Sequence, residues 1–216
     1  MIIRKKQVFL PQQGTEAAEH IQGSAERADE RREELTLMIY TTDYASPVGR
    51  ILIAAKHEAL IGLWIENQKY FLGSIKEETK TCHELTVLVQ AKTWLDRYFG
   101  GEKPETKELP LAPEGSEFRK KIWEILMEIP YGEVTTYGEI AEKVAARQGI
   151  DRMSAQAVGG AVGHNPISII IPCHRVVGSN GSLTGYAGGI DKKIALLTHE
   201  GVSMDKFFVP QKGTAL

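Results

Sequence analysis

The sequence predicts an α+β protein, with a small sheet-and-helix part followed by a mainly helical part. Residues 37–65 contain runs rich in β-branched and aromatic residues that are separated by turn signals, as strands are. Residues 116–199 contain several segments whose apolar residues recur with the period of a helix. Between them, residues 102–114 carry three prolines among charges, which is typical of a linker. We therefore expect one domain at 37–110 and a second at 111–216.

The first 36 residues form an extension ahead of this pattern. Residues 12–34 are rich in Ala, Glu, Arg, Gln and Gly, and they have almost no large apolar residue after Ile21. Such a segment cannot bury enough apolar surface to order itself, so we expect residues 1–36 to be a flexible tail or a solvated helix.

Length, charge and cysteine content exclude several classes. The 216 residues suffice for one large or two small domains, and the net charge of −2 points neither to nucleic acid nor to a membrane. Cys82 and Cys173 cannot build a disulfide framework, and neither has metal-ligand spacing to another cysteine. No apolar run reaches bilayer length, and the apolar start is too short for a signal peptide. We expect a cytoplasmic protein that binds no metal and no membrane.

In the first part, turn residues divide the strands and glycines end the helix. Ser46-Pro-Val-Gly49 is a turn, and His57-Glu-Ala59 joins two strands of a hairpin. The Gly100-Gly101 pair ends the helix. Residues 66–81 are expected to be irregular. The strands are predicted at 37–44, 50–56 and 60–65, and the helix at 84–99.

In the second part, capping residues mark the helix starts. Ser116 can cap a first helix, and Thr136 with Glu139 forms a capping-box pattern ahead of a second. A third helix at 153–162 consists mostly of Ser, Ala and Gly, and the second and third together resemble a helix-turn-helix. The small residues would allow close approach either of a nucleic-acid groove or of a neighbouring helix. A last helix is predicted at 190–199.

The most informative stretch is Ile169-Ile-Ile-Pro-Cys-His-Arg-Val-Val177. Its first apolar run predicts a buried strand that ends at Pro172, so Cys173 would lie at a rigid strand exit. A thiol beside an imidazole is a candidate nucleophile, because a proton acceptor favours the reactive thiolate. A lone cysteine after an apolar strand is, alternatively, a small buried hydrophobe. Glu200, at the unfavourable end of the last helix, indicates either a specific partner or an ordinary exposed glutamate.

Several motifs make residues 116–201 closely similar to the O6-alkylguanine-DNA alkyltransferases (methylated-DNA–protein-cysteine methyltransferases) of bacterial type. The matching stretches are Tyr131-Gly-Glu-Val-Thr-Thr-Tyr137, Ala157-Val-Gly-Gly-Ala161, Asn165-Pro166, Ile171-Pro-Cys-His-Arg-Val-Val177, Gly185-Tyr-Ala-Gly-Gly189 and His199-Glu-Gly201. The resemblance implies a ribonuclease H-like first domain and a winged helix-turn-helix-like DNA-binding unit in the second. The zinc ligands of some members have no counterpart here.

The resemblance also implies the chemistry. Cys173 would take the alkyl group from O6-alkylguanine, and from O4-alkylthymine, in one irreversible turnover after the base is flipped out of double-stranded DNA. His174 would be the base acting through a water, oriented by Glu200, and we expect the two to lower the pKa of Cys173. Tyr137 would protonate the departing guanine, and Asn165 would brace the turn below the site. No cofactor is implied, and a monomer is expected.

The remaining implied roles concern the base pocket and the DNA. Tyr186 would form a pocket wall, and the backbone of Thr184, Gly185 and Ala187 would read the guanine edge. Arg175 would anchor the chain to carbonyls or a carboxylate, and Lys193 matches a lysine near the pocket. The recognition helix would approach DNA through Ala155, Gln156 and Gly159.

One position departs from the family pattern. Gln156 stands where the family usually has the arginine that replaces the flipped base, so weaker DNA binding is expected. His164 also stands where some members have glycine. Two other functions stay open on the sequence: a lesion-binding protein without transfer, which the presence of Cys173 disfavours, and a cysteine hydrolase that turns over repeatedly.

Overall fold

A computed structural model describes residues 38–73 and 75–210. The extension predicted at residues 1–36 lies outside these residues. The α+β class is confirmed, with a sheet and one helix first and mainly helices after. Within the described ranges, no helix is long and apolar enough to cross a bilayer.

The first part is a four-stranded sheet in the order β3-β2-β1-β4. The strands are β1 (Ile39–Ser46), β2 (Gly49–Lys56), β3 (Ala59–Ile65) and β4 (Thr79–Thr81). β1, β2 and β3 form an antiparallel meander through the two predicted turns, whereas β4 runs parallel to β1. β4 was not predicted, because its three residues are polar and fully exposed and so show no apolar alternation.

Helix α1 (Thr86–Phe99) covers one face of this sheet, as its apolar stripe predicts. Alternate residues of β2, such as Ile51 and Ile53, point into the core that α1 closes. Gly101 follows the helix with φ at 86°, a conformation that glycine adopts without strain. The last turn of α1 carries the fully buried Tyr98, which therefore lies where the helix meets the second part.

The second part contains four predicted helices, which the structure confirms. They are α2 (Glu117–Met127), α3 (Tyr137–Gln148), α4 (Ala155–Gly163) and α5 (Ile190–His199). Ser116 caps α2, Ser154 caps α4, and the Thr136–Glu139 capping box is formed at the start of α3. The indole Nε1 of Trp123 on α2 donates to the carbonyl of Ala161 on α4 at 2.9 Å, which fixes the helix-turn-helix on the core.

The sheet and the helices share one hydrophobic core. Leu60 of β3 donates its N–H to the carbonyl of Pro110, and Leu63 donates to that of Pro166, both at 2.8 Å. The segment between the two parts therefore lies along the edge of the sheet. The domain boundary near residue 110 stays a prediction.

The strand predicted at residues 169–171 is wrong. These three isoleucines are fully buried, but they form a turn in which Ile169 has φ at 70°. The run is apolar because every side of it is buried, and a buried turn and a buried strand look alike in sequence. The N–H groups of Ile170 and Ile171 donate within the turn, the carbonyl of Ile171 accepts from the Asn165 side chain, and the carbonyl of Ile170 accepts from Thr106 Oγ1 at 3.2 Å.

A short 3-10 turn at Cys173–Arg175 follows, and then β6 (Val176–Val177), which pairs in parallel with β5 (Thr135–Thr136). These two-residue strands are too short to give a sequence signal. They place the residue after Arg175 directly beside the start of α3.

Candidate active site

Cys173 opens the 3-10 turn and is 5% exposed. Its Sγ accepts a hydrogen bond from Asn165 Nδ2 at 3.1 Å. The same amide donates to the carbonyl of Ile171 at 2.8 Å, and its Oδ1 accepts from the N–H of Ile167 at 3.0 Å. Asn165 therefore holds the buried turn and also contacts the sulfur that the turn presents.

Burial dominates the acidity of this thiol. Burial raises the pKa of Cys173. The hydrogen bond from Asn165 and the positive charge of Lys193 lower it, but by less than burial raises it. We expected His174 and Glu200 to lower this pKa; the backbone of His174 does favour the thiolate, but burial outweighs it and the pKa is raised. Cys173 is a thiol in the resting protein, and its proton must leave when the sulfur reacts.

His174 and Glu200 form a buried pair, with Nε2 and Oε1 2.7 Å apart. Burial alone would raise the pKa of Glu200, but the hydrogen bonds from His174 and Arg175 and the positive charge of Arg175 outweigh it and hold that pKa well below its usual range. Burial lowers the pKa of His174, and its bond to Glu200 opposes this only in part. The pair is therefore a neutral imidazole beside a carboxylate.

These charges fix the imidazole tautomer. An ionised carboxylate only accepts hydrogen bonds, so the proton of neutral His174 lies on Nε2, facing Glu200. Nδ1 is then a lone-pair acceptor, and it is buried with no hydrogen-bond partner among the described residues. His174 can consequently take a proton at Nδ1, and Glu200 can stabilise the imidazolium that forms.

Glu200 is 5% exposed and accepts from five donors, so the alternative of an ordinary exposed glutamate is wrong. Arg175 donates Nε to Oε2 at 2.8 Å and Nη2 to Oε1 at 2.9 Å, and its Nη1 reaches the carbonyl of Ile129 at 2.6 Å. The N–H of Gly132 donates to Oε2 at 3.2 Å, and the hydroxyl of Tyr98 donates to Oε1 at 2.7 Å.

Two further predicted site residues, Tyr137 and Lys193, donate hydrogen bonds to the same acceptor, the carbonyl of Thr184. Tyr137 donates its hydroxyl to this oxygen at 3.1 Å, and Lys193 donates Nζ to it at 2.7 Å and to the carbonyl of Val176 at 2.5 Å. Burial raises the pKa of Tyr137 to about 12 and lowers that of Lys193 to about 8. A Cβ on Gly185 would lie 2.4 Å from the Tyr137 hydroxyl, so only glycine fits here.

Tyr186 packs edge-on against His174, with ring centroids 6.4 Å apart at 79°. The next residue, Ala187, accepts a hydrogen bond at its carbonyl from the N–H of Lys69, at 2.8 Å. The loop that follows β3 therefore contacts the glycine-rich loop of residues 178–189 and holds it in place.

The chain matches two models of one known protein family. The family model described as "6-O-methylguanine DNA methyltransferase, DNA binding domain" matches residues 117–202, and the one described as its "ribonuclease-like domain" matches residues 38–113. The chain belongs to the 6-O-methylguanine DNA methyltransferase family.

Curated relatives and solved structures agree with this assignment. A methylated-DNA–protein-cysteine methyltransferase of Haemophilus influenzae is 42% identical over 162 residues, which cover 75% of this chain and 86% of that protein. One from Methanosarcina acetivorans is 40% identical over 177 residues, covering 76% and 99%. The structure of Mycobacterium tuberculosis OGT in complex with DNA has a TM-score of 0.67 at 38% identity and covers 75% of this chain and 93% of that one.

The predicted recognition residues lie on α4. Ala155 and Gln156 are exposed on α4, whereas Gly159 is half-buried and faces the ring of Tyr137. The exposed face leaves room for close approach from outside, and the opposite face packs on the core. His164 ends α4 and stacks on Tyr70, with ring centroids 4.1 Å apart.

Sequence reasoning missed Tyr98 and Gly132 as partners of Glu200. Gly132 was quoted only as part of a motif, and Tyr98 fitted the apolar stripe of α1. Tyr98 is 102 positions from Glu200, so no local spacing could have paired them.

Proposed function

We propose that Cys173 is the residue that accepts the alkyl group when this protein repairs DNA. The activity of the chain is direct transfer from damaged guanine to a cysteine. Sγ attacks the alkyl carbon, the new S–C bond forms as the O–C bond breaks, and guanine leaves with the electron pair. The observation that carries this assignment is the Asn165–Cys173 contact at 3.1 Å, within a buried turn next to the His174–Glu200 pair. The thioether product has no route back to a thiol, so each molecule acts once.

In the proposed mechanism His174 removes the thiol proton. Its free lone pair at Nδ1 takes the proton through a water, and Glu200 stabilises the imidazolium that forms. Because burial keeps Cys173 protonated at rest, the thiol proton is transferred only during the reaction, and the thiolate is short-lived. The charge of Lys193 stabilises the thiolate while it exists.

Tyr137 is proposed to protonate the departing guanine. Its pKa of about 12 keeps the phenol protonated in the resting protein. A guanine ring nitrogen that gains negative charge as the base departs is a stronger base than the carbonyl of Thr184, so it can take the phenol proton. At rest the hydroxyl donates to the carbonyl of Thr184, so it must swing to the base. Gly185 leaves the space for that movement.

The damaged base is proposed to enter beside Tyr186, with the backbone of Thr184, Gly185 and Ala187 reading its edge. The exposed residues of α4 would meet the minor groove, with Gln156 filling the gap left by the flipped base. The same pocket would take O4-alkylthymine. We place the protein in the cytoplasm, because its substrate is DNA and its cysteines Cys82 and Cys173 are both free thiols.

The test is incubation with an excess of duplex that carries O6-methylguanine labelled in the methyl group. We expect one equivalent of label per protein, located by peptide mass on Cys173 and lost in Cys173→Ala. Cys82→Ala is the matched control, because it removes the other free cysteine and should transfer fully. Continuing release of label to water would favour a hydrolase. Tight binding of the lesion without labelling would favour a lesion-binding protein.

A further inference from the structure

Tyr98 brings the sheet part of the protein to the catalytic carboxylate. It lies in the last turn of α1, it is 1% exposed, and its hydroxyl donates to Oε1 of Glu200 at 2.7 Å. The same oxygen accepts the Nε2 proton of His174 at 2.7 Å. The phenol and the imidazole therefore share one acceptor atom.

The position of Tyr98 is fixed on several sides. Its main-chain carbonyl accepts from His199 Nε2 at 2.7 Å, so neighbouring residues of the last helix hold both its backbone and its hydroxyl. Its ring stacks on Trp94 at 5.5 Å and meets the edge of Tyr131 at 5.9 Å. A phenol held in this way keeps its hydroxyl on Glu200 through the reaction.

We propose that Tyr98 is a positioning residue for alkyl transfer, which sets the proton affinity of His174 by sharing the Glu200 oxygen with it. A donor to a carboxylate withdraws charge from the oxygen that it contacts, so the oxygen stabilises a neighbouring imidazolium less. Without the hydroxyl, Oε1 would hold the imidazolium of His174 more strongly. This inference rests on the proposed role of His174 as the base.

Other charged and titratable groups also face this pair, and they remain in place when only the hydroxyl is removed. Around His174 and Glu200 they are Arg175, Lys193, Cys173, Tyr131 and Tyr186. Removing the hydroxyl leaves Oε1 with two donors, His174 and Arg175, so no buried carboxylate oxygen is orphaned. Tyr98→Phe keeps the ring and its packing, and we expect it to fold.

The experiment measures single-turnover transfer from an O6-methylguanine duplex across pH for the full chain. In Tyr98→Phe we expect the acid limb of the rate profile to move up by roughly 0.5 to 1 pH unit, because a more strongly held imidazolium gives up its proton at higher pH. Tyr44→Phe is the matched control. Tyr44 also donates its hydroxyl to a carboxylate, Asp96 on α1, at 2.8 Å, but it has no hydrogen bond to Glu200. Its profile should superimpose on that of the parent.

A structural role alone would lower the Tyr98→Phe rate by the same factor at every pH, and that result, or an unchanged profile, would overturn the inference. Nitrogen-15 NMR of His174 gives a second measure, since the pKa of its imidazole should rise in Tyr98→Phe and not in Tyr44→Phe. Glu200→Gln tests the His174–Glu200 base pair separately from the role of Tyr98. If it leaves the profile unmoved, the proposed base pair fails. If it moves the profile while Tyr98→Phe does not, only the role of Tyr98 fails.

Discussion

Replacing Asn165 by alanine removes the side chain that joins the buried turn to Sγ of Cys173, the proposed alkyl acceptor. The N–H of Ile167 then loses its partner at 3.0 Å, and leaving one buried donor unpaired costs about 1–3 kcal/mol. The carbonyl of Ile171 keeps a bond from the N–H of Cys173, so losing the amide there adds only about 1 kcal/mol. We expect Asn165→Ala to lower the free energy of unfolding by about 2–4 kcal/mol.

The same substitution removes a donor to Sγ, so the pKa of Cys173 should rise further. Urea unfolding measures the first effect, and the pH dependence of iodoacetamide labelling at Cys173 in the Cys82→Ala background measures the second. Asn180→Ala is the matched control, because Asn180 also braces a turn, through a bond from the N–H of Ser182, but it is exposed and does not contact the sulfur. The reasoning is refuted if the two asparagine variants lose similar stability, or if the labelling profile does not move.

Three further substitutions test other parts of the site. Lys193→Met removes a buried charge near Cys173, so thiol labelling should require higher pH. Because the pKa of Lys193 falls to about 8 on folding, the unfolded chain binds more protons above that pH. Parent stability relative to Lys193→Met should therefore increase as pH rises from about 8 toward the ordinary lysine range, as urea unfolding would show. Gly185→Ala places a methyl group against the Tyr137 hydroxyl and should slow single-turnover transfer by about 10-fold or more while changing DNA affinity little. Gln156→Arg adds a positive charge on the exposed face of α4, so it should tighten duplex binding and steepen its salt dependence by about one unit of slope, measured by fluorescence anisotropy.

Matched controls separate these effects from general ones. Gly101→Ala imposes a comparable positive-φ strain where no atom lies within 4 Å, so it should cost stability without slowing transfer. Gln90→Arg adds the same positive charge on the exposed face of α1 and should leave duplex binding unchanged. If Gly101→Ala slowed transfer as much as Gly185→Ala, the contact assigned to Gly185 would be contradicted. If Gln90→Arg tightened duplex binding as much as Gln156→Arg, the DNA contact assigned to Gln156 would be contradicted.

The helices could be predicted because their signals are local. Ser116 and the Thr136–Glu139 box mark starts within one turn of the chain, and the apolar period marks the buried face. Cys173 was a candidate nucleophile from the residues around it, and the roles of His174 and Glu200 came from the family resemblance; the structure brings His174 and Glu200 together.

What failed depends on burial and on side-chain contacts that the sequence pattern does not show. The turn at residues 169–171 was taken for a strand because burial on all sides gives the same residue types in both; the Asn165 side chain bonds to this turn. The acidity of Cys173 was misjudged because burial, which the sequence does not show, outweighs the groups that favour the thiolate. Tyr98 could not be found at all, since its partner lies in another part of the fold.

The loop after β3 contacts two parts of the proposed site. Lys69 holds the glycine-rich loop at Ala187, and Tyr70 stacks on His164 at the end of α4. One short segment of the first part thus contacts both the loop that we propose walls the base pocket and the end of α4, the helix that we propose faces DNA. Exchanging it between relatives should alter tolerance for bulky adducts while the reacting residues stay the same.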